Sequence, residues 1–128
     1  MCTIGVAYNV NIGGVRMLQD PVTDEKVANS LRFRRDYIDI YQISWGHNDG
    51  ETFDGPGRLT QTVLMDGANK GRNGLGSIFV SASGTGNEFF DDCNAVGYTS
   101  SIYTMSISSV KTRFAFSWVT AQFNFAWF

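Results

Sequence analysis

Apolar residues along this chain fall in short runs cut by glycine and polar clusters, with no long helical repeat. Residues 3–8 form an apolar run that stops at Asn9 and predict a strand. Residues 14–18 predict a second strand, entered through Gly13 and Gly14. A helix is predicted next: Thr23 is a good N-cap, and Asp24 and Glu25 put carboxylates in the first turn, where the helix dipole favours them. Val22 and Val27 take the two positions of a hydrophobic staple. The β-branched and aromatic run 37–44 predicts a strand buried on both faces. A polar, glycine-rich loop covers 46–57. A second helix runs from Gly57 to Lys70, with Leu59, Val63 and Gly67 on one face, Leu64 and Ala68 beside it, and Gly71 as the stop. Residues 77–83 and 101–109 predict two further strands. Strand, helix, strand, helix, strand at this spacing argues for an α/β fold with a parallel sheet and right-handed crossovers.

Composition narrows the class. With 128 residues the chain is one domain's worth of material at most. Ten basic residues against twelve acidic give a net charge of −2, and no Lys/Arg run supplies a nucleic-acid footprint. No apolar stretch approaches the roughly 20 residues of a membrane-spanning helix, and the first residues lack the basic start of a signal peptide. Two cysteines, Cys2 and Cys93, are too few for a disulfide framework or a four-ligand zinc site. His47 is the single histidine, so any histidine base would have to be that residue. The composition changes after Ser109: residues 110–128 hold seven aromatics, two cations and no acid.

Candidate chemistry sits in the loops. Asp49, Glu51 and Asp54 cluster in the glycine-rich loop. They read as a solvated loop, a Ca²⁺ site, or a pocket for basic side chains, since hard cations and guanidinium groups both choose carboxylate oxygens. Asp91 and Asp92 form a second such pair. The Gly71–Gly76 stretch ends a helix and opens a strand, the reverse of a phosphate cradle, which argues against nucleotide binding. Ligands of open parallel sheets bind beyond the C-terminal ends of strands. That rule nominates Ser44-Trp45-Gly46 and Gly84-Thr85-Gly86 as one site.

Taken together, these stretches resemble the catalytic domain of the furin/kexin-like proprotein convertases, which are subtilisin-like serine endopeptidases. The resemblance rests on Gly5-Val-Ala-Tyr-Asn9, Ile12-Gly-Gly-Val-Arg-Met-Leu18, Val22-Thr-Asp24, Ile40-Tyr41, Ser44-Trp-Gly46 and Asp54-Gly-Pro56. It continues through Gly74-Leu-Gly-Ser-Ile-Phe-Val80, Ala82-Ser-Gly84, Gly97-Tyr-Thr99, Ser101-Ile-Tyr-Thr104 and Ser106-Ile-Ser-Ser109. Residues 1–109 therefore read as the central part of a peptidase catalytic domain, a doubly wound, mostly parallel sheet with flanking helices, left incomplete. Residues 110–128 read as a divergent aromatic tail.

The resemblance implies cleavage of proproteins after basic residues, bound Ca²⁺ and a secretory-pathway location. The family's triad runs Asp, His, Ser; the matched stretches begin after the place of the His and end before that of the Ser. Neither the triad nor activity is then expected of this chain alone, and His47 stands where the family has proline. Ser44, Trp45 and Gly46 match the segment whose backbone pairs with an extended substrate. Thr85 stands at the oxyanion-hole asparagine. Asp54 and Asp49 match carboxylates that receive basic side chains, whereas Val27 and Val96 stand where the family has a pocket Glu and a pocket Asp. Asp91, with Asp49, matches the calcium ligands, too few for the six to eight oxygens a firm Ca²⁺ site takes. Cys2 and Cys93 match cysteines whose partners lie further along, so free thiols are expected, or mispaired ones in an oxidising compartment. The expected partner is an extended basic peptide or a proprotein, or, on the alternative reading, the same peptide bound by a non-catalytic decoy or regulator. Self-association is expected from unpaired strands and from the aromatic tail.

Overall fold

A computed structural model describes residues 7–19, 21–45, 55–84 and 97–108. Its elements are α1 (Asp24–Leu31), β1 (Ile40–Ile43), α2 (Arg58–Gly74), β2 (Ile78–Ala82) and β3 (Thr104–Ile107). The three strands form one parallel sheet in the order β1-β2-β3. This is the partial α/β architecture expected from the alternation of elements.

Each helix begins where its local chemistry directs. Thr23 caps α1 with its hydroxyl, which accepts from the Lys26 N–H at 3.3 Å. Val27, Ala28 and Leu31 make the buried face of α1, which packs on α2. The regular part of α2 stops at Lys70: Gly71 is extended, and Arg72 and Asn73 have φ of +48° and +55°. That stop lies where the Lys70-Gly71 pair predicts it. The buried stripe of α2 is Thr60, Leu64, Gly67 and Gly71. It is rotated from the expected Leu59 face, because Leu59 stays half exposed and the small residues Thr60 and Gly67 let the helix come close to the sheet.

The closest approach is at Gly67. A Cβ there would stand 2.5 Å from Cζ of Phe79, the most central side chain of β2, which is 1% exposed. Phe79 stacks on Tyr41 of β1, with ring centroids 5.2 Å apart. Tyr41, Ile43, Leu64, Phe79, Val27, Leu31, Met17 and Tyr98 form the core. On β3 the same sheet face carries Thr104 and Ser106. The Thr104 hydroxyl donates to the Tyr98 carbonyl, and the Ser106 hydroxyl reaches the Thr99 carbonyl, fixing the incoming turn.

The opposite face differs. Register places Ile40 beside Ile78, Val80 beside Met105 and Ala82 beside Ile107. Ile40, Ile78, Met105 and Ile107 are exposed there. The expected burial of β1 on both faces is therefore halved: Tyr41 and Ile43 are inside, Ile40 and Gln42 outside. Residues 14–18 do not form the expected second strand. A strand needs a paired neighbour for its N–H and C=O groups, and none of the described strands pairs with this segment. Only Met17 of the segment is buried. Of the first expected strand, residues 7 and 8 lie in a turn, and residues 3–6 fall outside the described residues.

Gly67→Ala adds a methyl group against the Phe79 ring. Helix propensity alone favours the change by about 1 kcal/mol, whereas overpacking a core costs about 1–3 kcal/mol. A net loss of stability is expected, read as a lower urea midpoint with an unchanged slope.

Candidate functional site

All three strands run the same way, so their C-terminal ends meet at one edge. Ile43 is level with Ser81, and Ala82 with Ile107. Ser44 and Trp45 therefore leave the sheet beside Ala82 and Ser83. The Ser83 N–H donates to the Ile107 carbonyl at 3.1 Å, and Gly84 turns away at φ +88°. This brings Ser44-Trp45 beside Ser83-Gly84, the described starts of the two loops that strand-end position nominates. Ser44 is exposed, and its hydroxyl takes a bond from the Gln42 amide. Trp45 is half-buried, edge-on to Tyr98 with ring centroids 5.6 Å apart.

The strongest polar construction at this site centres on Asp24. Its Oδ2 accepts from the Leu59 N–H at 2.8 Å. Its Oδ1 accepts from the Thr60 N–H at 3.0 Å and from the Thr60 hydroxyl at 2.7 Å. These are free donors of the α2 N-terminus, which has Gly57 as N-cap and no side-chain cap of its own. A Cβ on Gly57 would collide with the Asp24 carboxylate. The carboxylate thus sits in the space that the glycine leaves. The Thr60 hydroxyl holds the Asp24 carboxyl below its ordinary value; burial opposes this and the two backbone N–H groups assist it. Burial pushes the Tyr98 phenol up to about 12, and the Asp24 charge adds to the rise.

Several expected site residues, Gly46, Asp49, Asp54, Thr85 and Asp91, lie outside the described residues, as do His47, Val96, Cys2, Cys93 and residues 110–128. Val27, which the resemblance sets opposite a pocket Glu, is a core residue 3% exposed. Two residues of this edge have roles that sequence reasoning missed. Asp24 reads locally as a first-turn carboxylate of α1; its second role reaches 35 residues along the chain. The uncapped Gly57 was the available signal. Tyr98 lies in the quoted Gly97-Tyr-Thr99 stretch, with nothing local to show that it meets Trp45. Among the described residues no three His, Cys, Asp or Glu side chains converge on a point that could hold a metal, and no helix is long and apolar enough to cross a membrane.

The profile of the Subtilase family matches residues 1–121. The chain belongs to the subtilase family. Within it the similarity is to convertases. Human proprotein convertase subtilisin/kexin type 6 is 57% identical over 109 residues, 84% of this chain and 11% of that protein. Mouse furin is 56% identical over 110 residues, 85% of this chain and 14% of furin. Drosophila melanogaster furin-like protease 1, isoform 1-CRR, is 49% identical over 122 residues, 94% of this chain and 11% of that protein. The subtilase chain thus spans about one part in seven to nine of these relatives' lengths.

Asp24→Ala leaves the α2 N-terminus without its acceptor and should cost about 1–2 kcal/mol at pH 7. The sign with pH follows from the lowered folded-state pKa. The contribution is present above the ordinary value of 3.8 and is lost as pH falls through the folded value. Urea unfolding of both chains at pH 7 and pH 3 should show the gap at neutral pH and a smaller one in acid.

Proposed function

We propose that this chain supplies the substrate-cradling middle of a proprotein-cleaving subtilase and does not cleave by itself. The observation that carries the reading is the meeting of Ser44-Trp45 and Ser83-Gly84 at the C-terminal edge of the parallel sheet, in a chain 56% identical to furin over 110 residues. Ser44, Trp45 and Gly46 offer backbone N–H and C=O groups to an extended peptide, so affinity comes from main-chain pairing. Asp49 and Asp54 take basic side chains of that peptide. Asp49 with Asp91 holds Ca²⁺ weakly, and Thr85 stands in for the oxyanion donor. Held there, Ca²⁺ would neutralise the Asp49 and Asp91 carboxylates. Residues 1–109 make up the peptidase part and 110–128 an aromatic tail, into which the family profile runs as far as residue 121. The secretory pathway is the matching compartment. The exposed Ile40, Ile78, Met105 and Ile107 support self-association, because an uncovered apolar sheet face seeks cover.

The expected inactivity follows because none of the matched stretches carries the family's triad Asp, His or Ser. In a subtilisin, a relative, loss of the nucleophile or the base alone lowers turnover about 2 × 10⁶-fold. An oxyanion donor is worth a further 10²–10³ or so. The purified chain with calcium should therefore give no turnover of a fluorogenic Arg-X-Lys-Arg peptide above the blank. Turnover that survives repurification and is blocked by a serine-directed inhibitor would overturn the reading. A folded chain that binds the peptide without cutting it would favour a decoy or regulator.

A further inference from the structure

The link between α1 and β1 carries three arginines in four residues, Arg32, Arg34 and Arg35, followed by Asp36. Residues 32–37 form an exposed turn. Phe33 and Tyr37, which would be expected to seek cover, are 55% and 67% exposed. Arg34 holds a left-handed φ of +49°, a conformation that disfavours a side chain. Its guanidinium lies 5.2 Å from the centre of the Tyr37 ring. The nearest ion pair, to Asp36 at 3.9 Å, joins two side chains that are both more than half exposed, and such pairs hold little. The turn is therefore cationic, strained and open to solvent, and its arginines are not committed to buried partners.

We propose that this turn is a processing site, cut between Arg35 and Asp36 by an endoprotease selective for clustered basic residues. The arginines stand first, second and fourth before the bond. Subsites lined by carboxylates accept that pattern, because each guanidinium can make paired charge-assisted bonds. Water is the co-reactant. The C–N bond between Arg35 and Asp36 breaks, the water oxygen joins the Arg35 carbonyl carbon, and the products are an Arg35 carboxylate and an Asp36 amine. The site does not depend on what the chain itself binds.

The fold gates this cut. A protease takes its substrate extended, and the closed turn is not. The Tyr37 and Ile38 N–H groups donate to the Arg34 carbonyl at 2.8 and 2.9 Å, and the Arg72 N–H donates to the Arg35 carbonyl at 2.7 Å. The Tyr41 hydroxyl donates to the Phe33 carbonyl at 2.7 Å. Cleavage proceeds through local opening of these bonds, which involves the turn and not the core. After the cut, α1 stays attached through its buried face and the Asp24 bonds to α2.

The test treats the full 128-residue chain with a serine endoprotease first shown to cut an Arg-X-Lys-Arg peptide and to spare its Ala-X-Ala-Arg counterpart. Intact mass and N-terminal sequencing follow the products. The expected result is one early cut, with a new N-terminus reading Asp36-Tyr37-Ile38. Arg35→Ala should abolish the cut, and Arg32→Ala should slow it by about tenfold or more, the worth of one charge-assisted contact. A synthetic peptide spanning 28–40, cut while the folded chain is spared at Arg35, would overturn the proposal. So would failure of the peptide itself to be cut. Limited trypsin digestion run in parallel reports the fold. A cut at Arg35 seen only where trypsin takes Arg16, Lys26 and Arg58 at equal rates would reflect general unfolding and would also overturn it.

Discussion

The Asp24 carboxylate at the α2 N-terminus is the contact on which the arrangement of the described residues depends. A helix presents unpaired N–H groups and partial positive charge at its start. In α2 the residue that should satisfy them is Gly57, which has no side chain. Asp24 reaches in from α1 instead and takes two backbone N–H groups and the Thr60 hydroxyl. The same residue opens α1, where Thr23 already provides the cap. One carboxylate thus lies at the favourable end of two helix dipoles and locks their N-termini together. Because α2 leads into β2, fixing its start helps set how the helix lies on the sheet.

Close approach does the rest on the inner face. Gly67 lets α2 settle onto Phe79, and Phe79 in turn meets Tyr41. Where the sheet runs out of large side chains, Thr104 and Ser106 replace apolar contact with hydroxyl bonds to the turn before β3. The outer face has no such cover among the described residues. Parallel sheets are buried on both sides because their crossovers carry helices. Exposed Ile40, Ile78, Met105 and Ile107 therefore mark a face made to be covered. A chain that spans one part in seven to nine of its relatives' lengths leaves ample protein in those relatives to do so.

How far each feature was legible follows the range of the interaction behind it. The Thr23 cap, the stop at Lys70 and the parallel order of β1, β2 and β3 rest on local chemistry or on alternation of elements, and the sequence carries both. The rotation of the α2 stripe toward Thr60 and Gly67 depends on which neighbour the helix meets, and periodicity cannot name a neighbour. The failure of residues 14–18 to pair has the same origin: their alternation suits a strand, but a strand exists only beside another. The position of Ser44-Trp45 at the end of β1 was readable because the apolar run stops there and the polar, glycine-rich loop begins. Asp24 was not, because a cap supplied from 35 residues away leaves no local pattern beyond an N-cap position that lacks a side chain.

These contacts also decide what kind of recognition this edge can offer. Trp45 and Tyr98 present aromatic surface, and the Tyr98 phenol stays neutral, pushed up to about 12 by burial and by the Asp24 charge. Asp24 has both oxygens engaged with α2, so it holds that charge in place and leaves no lone carboxylate to receive a guanidinium. Val27 is part of the core and adds apolar contact beneath α1. The described part of the edge therefore offers main-chain groups and aromatic surface and no uncommitted carboxylate. The packing that holds this edge in shape, with Val27, Leu31 and Leu64 in the core, and the groups the edge presents, Ser44 and Trp45, thus lie in different residues, so a change at exposed Ser44 leaves the frame intact.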